Sequence, residues 1–108
     1  MVEHTLQLDA IFGCLADSTR RDILKRVAKK ELTISEVAKP YRLTFAAISK
    51  HLKILEKAQL IIKRRKGKQQ LVHLAPHAFK DANKYLQYYE KLLNARLDSL
   101  EEYLANNP

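Results

Sequence analysis

Apolar positions along the chain recur at two different periods. In TLQLDAIFGCL, residues 5–15, Leu8, Ile11, Phe12 and Leu15 fall three and four apart, the spacing of one helical face. Gly13 weakens that helix slightly. Asp17 offers a side-chain oxygen to open a second helix. In STRRDILKRVAKKE, Ile23, Leu24 and Val27, with Ala28 beside them, form an apolar stripe among Arg20, Arg21, Lys25, Arg26, Lys29 and Lys30. Thr33 and Glu36 have capping-box spacing, so a short helix begins there with Ile34, Val37 and Ala38. Pro40 stops it near Lys39, because the residue before proline is pushed out of helical geometry. Thr44 then caps the longer FAAISKHLKILEKAQ, whose Ile48, Leu52 and Leu55 should face a core. Phe45, Ala46, Ser49, Lys50 and Lys53 are left on its other faces.

The period then changes to two. LIIKR and QLVHL read as strands with RKGKQ between them, and Gly67 supplies the flexible turn position. Two strands alone are marginal, so this hairpin must lean on the helices. Pro76 suits the first turn of a last helix. From there Leu86, Tyr89, Leu93, Leu97, Leu100 and Leu104 recur every three or four residues. The order is helix, helix, short helix, longer helix, hairpin, long helix. A short helix, a tight turn and a capped helix make a helix-turn-helix. The expected fold is mainly α with a small β-hairpin wing, a winged helix-turn-helix. No repeat or linker divides the chain, so residues 1–108 are expected to form one domain.

Charge sharpens this picture. Lys and Arg number 20 against 12 Asp and Glu, a formal net charge of +8, which favours a polyanionic partner. The excess is one-sided. Between Lys50 and Lys68 the only acid is Glu56, whereas Asp81, Glu90, Asp98, Glu101 and Glu102 make the C-terminal segment acidic. The single cysteine, Cys14, can form neither an internal disulfide nor a CxxC pair, consistent with a reducing compartment. The opening MVEHTLQLDAIF has no basic region before its apolar stretch, and no run is long and apolar enough to span a membrane. The expected location is the cytoplasm, in association with the nucleoid.

Candidate chemistry gathers at the helix-turn-helix and the hairpin. Only an element about as wide as a helix enters the major groove, and its N-terminal residues reach the base edges. Thr44 and Ser49 can exchange hydrogen bonds there. Phe45 and Ala46 can press on thymine methyls, and Lys50 and Lys53 can meet guanine edges or phosphates. Phe45 has either a core pocket or a base to touch. His51 is a polar contact beside the core or a phosphate ligand. In the hairpin, Lys63, Arg64, Arg65, Lys66 and Lys68, with Gln69, can follow the phosphate backbone or enter the minor groove. His4, His51, His73 and His77 carry no HExxH and no cysteine pair, so no metal or other cofactor is expected. There is no phosphate-binding glycine loop or nucleophile elbow, so an enzyme is not expected. Cys14 reads as small core filler, with a thiol switch as the alternative. The last helix is long enough for part of its stripe to meet a twin, joined by the similar face of the first helix. Leu8, Ile11, Phe12, Tyr89, Leu93, Leu97 and Leu100 are the expected dimer contacts.

Three segments together resemble the ArsR/SmtB family of winged-helix repressors. They are LADSTRRDIL at 15–24, ELTISEVA at 31–38 and ISKHLKILEKA at 48–58, followed by the basic hairpin. The resemblance spans nearly the whole chain. It implies a homodimer joined through first and last helices, recognition by residues 44–57, a wing tip at 65–69, and inverted-repeat sites near promoters. It does not carry over the family's metal sites. Thr33 and Ser35 stand where metal sensors have a C-x-C pair, and residues 78–104 contain no histidine. Redox-sensing relatives use two cysteines per subunit, and one is present. The partners expected are double-stranded DNA and a second copy, with no membrane and the inducer unknown. The alternatives are an architectural DNA-binding protein with little sequence preference and a protein-interaction module.

Overall fold

In a computed structural model, backbone is described for residues 2–107 and side chains for residues 7–107. The first helix is α1 (Val2–Leu15). Asp17 caps α2 (Ser18–Lys29) by accepting the Arg20 backbone N–H at 3.0 Å. The predicted capping box is present at the head of α3 (Ile34–Ala38). Thr33 Oγ1 accepts from Glu36 N at 3.1 Å, and Glu36 Oε1 accepts from Thr33 N at 2.9 Å. Thr44 caps α4 (Phe45–Lys57) through Ala47 N at 3.1 Å.

Helix α4 ends on a feature with no sequence signal. Gln59 adopts φ 61°, and Leu60 N donates to Leu55 O at 3.1 Å. This is the left-handed helix stop usually made by glycine. It turns the chain directly into a strand.

The hairpin is β2 (Ile61–Lys66) and β3 (Gln69–Leu74), paired from Ile61↔Leu74 to Lys66↔Gln69. A further strand, β1 (Leu32–Thr33), pairs with β3 in the register Leu32↔Val72 and Thr33↔Leu71, so the sheet order is β1-β3-β2. Two residues show no periodicity, which is why β1 is absent from the sequence reading. The architecture is otherwise the expected one, mainly helical with an antiparallel wing.

One compact unit runs to Ala78. Its core takes Ile11 and Cys14 from α1, Ile23, Leu24 and Val27 from α2, and Val37 from α3. Ile48, Leu52 and Leu55 come from α4, and Leu60, Ile61 and Val72 from the sheet region. Ala28, placed beside the α2 stripe, faces solvent instead. The predicted faces of α2 and α4 are thus the buried ones, as burial of about 25 cal/mol per Å² of apolar surface requires.

The second unit begins at Phe79. Its helix α5 (Lys80–Asn106) has 27 residues, about 40 Å at 1.5 Å per residue. It starts four residues later than the Pro76 expectation. Ala78 N donates to Ala75 O at 3.1 Å, making Pro76 part of a turn, and the helical ladder begins with Asn83 N to Phe79 O at 2.8 Å.

Candidate nucleic-acid interface

Burial of Ile48, Leu52 and Leu55 fixes the rotation of α4 about its axis. Phe45, Ala46, Lys50 and Lys53 are exposed, and Ser49 and His51 are half-buried. Phe45 is 67% exposed, so of the two options open to it the core pocket is excluded. Thr44 stands at the helix start with its side chain engaged in the cap. Ala46, Ser49, Lys50 and Lys53 line one shallow recess, so an apolar patch, a hydroxyl and two ammonium groups face outward together.

The turn before α4 is braced by Arg26, Tyr41 and Asp22. Arg26 donates to the carbonyls of Glu36 at 2.8 Å and Val37 at 2.9 Å, closing the C-terminal end of α3. Its guanidinium also lies 5.5 Å from the Tyr41 ring centroid. Tyr41 donates its hydroxyl hydrogen bond to Asp22. Burial first, and then that carboxylate bond, push the Tyr41 phenol above its ordinary value. These residues are far apart in sequence, and only folding brings them together.

Arg20 makes a second brace. It donates from Nε to Cys14 O at 3.1 Å and from one terminal nitrogen to Gly13 O at 3.3 Å. Its other terminal nitrogen lies 3.3 Å from His51 Nδ1. Arginine has donors and no acceptors, so Nδ1 must accept and Nε2 carries the imidazole proton. Of the two roles open to His51, the polar contact beside the core is present.

At the wing, Lys66↔Gln69 pairing leaves Gly67 and Lys68 as a two-residue loop. Gly67 has φ 63°, as the first central position of a hairpin turn of this hand requires. Lys66, Lys68 and Gln69 are exposed at the tip, and exposed Arg65 donates to Gly67 O at 3.4 Å. The two basic residues nearer the sheet are differently placed. Half-buried Lys63 pairs with Glu56 at 3.6 Å, and Arg64 pairs with Glu31 at 2.8 Å.

This arrangement has counterparts among known proteins. The family model described as bacterial regulatory protein, arsR family, matches residues 17–63. The HTH-type transcriptional regulator Rv2034 of Mycobacterium tuberculosis is 37% identical over 68 residues, covering 63% of this chain and 64% of that protein. A crystal structure titled ArsR family transcriptional regulator, RHA00566, is similar with a TM-score of 0.77 at 30% identity, covering 83% of this chain and 93% of that one. The arsenic resistance transcriptional regulator ArsR1 of Pseudomonas putida is 30% identical over 96 residues, covering 88% of this chain and 70% of that protein. The chain belongs to the ArsR family. It is a winged-helix, DNA-binding transcriptional regulator and not an enzyme.

Within this ArsR-family chain, Cys14 is 1% exposed and its thiol donates to Ile54 O at 3.5 Å. Burial pushes the thiol up from its ordinary value, against a smaller opposing effect of the Arg20 charge, and so lowers the reactive thiolate fraction. The His4 side chain lies outside the described residues. His77 is exposed, and His73 Nδ1 lies 3.2 Å from Glu31 Oε2. Among the described residues no group of three or more His, Cys, Asp or Glu is placed to hold a metal ion, and no helix is long and apolar enough to cross a membrane.

The expected dimer contacts divide into two sets. Ile11 is buried, and Leu8 and Phe12 are half-buried. On α5, Tyr89, Leu93, Leu97 and Leu100 are each about half exposed, at 49, 57, 53 and 53%.

Proposed function

We propose that this protein is a homodimeric repressor that binds an inverted-repeat operator, with α4 reading bases and the wing tip holding phosphates. The observation that carries the reading is the outward face of α4. Phe45, Ala46, Ser49, Lys50 and Lys53 sit on a helix whose opposite face is fixed in the core. Such a helix can be inserted into a major groove without disturbing the fold. Arg65, Lys66, Lys68 and Gln69 lie at the end of a two-stranded ribbon, where contacts to phosphate give affinity without sequence preference. His51 adds an Nε2–H donor beside this face.

Dimerisation through α5, with α1 contributing, supplies the symmetry. Leu86, Leu93 and Leu100 repeat at seven residues, and Tyr89 and Leu97 widen the stripe. Exposed large apolar residues over this length mark an interaction surface. Two copies related by a two-fold axis would place two recognition helices a whole number of DNA turns apart. Residues 1–108 would then act as one functional domain, in the cytoplasm on nucleoid DNA.

The test is fluorescence anisotropy of the protein with the DNA upstream of its own gene, against a scrambled duplex of equal length, across a salt series. A preference of roughly 10³-fold or more supports operator binding and autorepression. Equal affinities with a steep salt dependence contradict autorepression and instead describe an architectural DNA-binding protein.

A further inference from the structure

The basic residues of the wing are not equally free. Arg64 is 56% exposed in its side chain, yet its guanidinium is fixed at 2.8 Å from Oε1 of Glu31, a residue 33 positions away. The sheet order puts β3 between β2 and the segment that carries Glu31, so the contact spans the middle strand. Oε2 of Glu31 lies 3.2 Å from His73 Nδ1, an atom buried from solvent that makes no hydrogen bond of its own. The Arg64 bond draws that side chain back along the sheet, toward the level of His73 and Ile62 and away from the exposed tip at Lys66 and Lys68.

We infer that Glu31 is a positioning residue for the wing, withholding Arg64 from the phosphates of random duplex DNA. The inference rests on the wing being a phosphate-binding element, as proposed above. Arg64 gives one terminal nitrogen, Nη2, to the carboxylate, and that nitrogen cannot at the same time complete a bidentate fork on a phosphate. While Glu31 holds it, random duplex meets the wing through the tip residues Arg65, Lys66 and Lys68. Because the pair is partly exposed, the hold is modest, about a two- to fivefold effect on affinity for each wing. Lys63 is tied in the same sense to Glu56, but that pair is longer, at 3.6 Å.

Glu31→Gln keeps the shape of the side chain and removes its charge. The experiment measures binding to a random duplex across a salt series, together with the Arg64 Nε–H NMR signal as duplex is added. In Glu31→Gln we expect binding about two- to fivefold tighter per subunit and a salt slope steeper by about 0.9 per wing. The Arg64 signal moves with DNA in that variant and stays in place in the wild type. In an Arg64→Gln background the extra slope is absent. The inference is overturned if the wild-type Arg64 signal moves on random DNA as far as in the variant. It is also overturned if Glu31→Gln steepens the slope equally without Arg64, which would be a general charge effect. Wild-type protein that bound no duplex at any salt would overturn the DNA-binding reading itself, and this inference with it.

Discussion

Single residues set the local geometry on which the DNA face depends, and some do so at a cost. Gln59 ends α4 in the left-handed region, where a side chain is disfavoured by about 1 kcal/mol and glycine is not. Gln59→Gly should therefore raise stability by about 1 kcal/mol, read as a higher urea midpoint with unchanged slope. The caps give a pH dependence of determined sign. The Arg20 backbone N–H, assisted by the Arg20 charge, holds the Asp17 carboxyl below its ordinary 3.8, and the Thr33 backbone N–H holds Glu36 below its ordinary 4.5. A carboxyl lowered on folding contributes stability above its unfolded pKa and loses it as pH falls through the folded value. The urea midpoint should be flat above about pH 5 and fall below that range. An Asp17→Asn, Glu36→Gln variant should start lower and lose less. The caps were legible because a polar residue three positions from its partner is a local signal. Gln59 was not, since glutamine is no helix-stop residue and only the exit into β2 demands its conformation.

Elements were legible wherever a period ran long enough. The α2 and α4 stripes, read from Ile23 to Leu55, are the buried faces observed. Two residues are too short for a period, so β1 escaped notice. The start of α5 was misplaced because Pro76 suits a turn as well as a helix start. The Arg26–Tyr41–Asp22 brace was invisible for another reason: it joins α2 to the turn before α4, and no local pattern links residues 15 to 19 apart. The α5 stripe was legible as apolar, but its exposure was not. If it seals a dimer, a charge placed within it must be buried unpaired or must split the pair. Leu93→Glu and Leu97→Glu should each convert a dimer to a monomer in sedimentation equilibrium, with helical content in circular dichroism largely retained. A wild type already monomeric at tens of micromolar would contradict this role for α5.

At the scale of the whole molecule, charge and apolar surface are segregated along the chain. Basic residues concentrate between Lys50 and Lys68, and most of the exposed leucines and tyrosines lie on α5. The division suits a regulator in which one region meets DNA and another meets its twin. The resemblance to ArsR-family proteins was readable because the motif residues serve the fold itself: Ile23, Leu24, Val37, Ile48, Leu52 and Leu55 are all core residues. The central claim is that α4 chooses the site while the wing tip holds any duplex. It is tested most directly by measuring, for Lys50→Ala, Ser49→Ala and Arg65→Gln, the ratio of affinities for a duplex selected from a random pool and for a scrambled one. The α4 variants should lower that ratio by about 5- to 150-fold, the range for losing one good base contact. Arg65→Gln should weaken both duplexes alike and reduce the salt slope by about 0.9 per wing. If Lys50→Ala and Ser49→Ala instead weakened both duplexes equally, α4 would not be reading bases, and the account of this protein as an operator-specific regulator through that helix would be wrong.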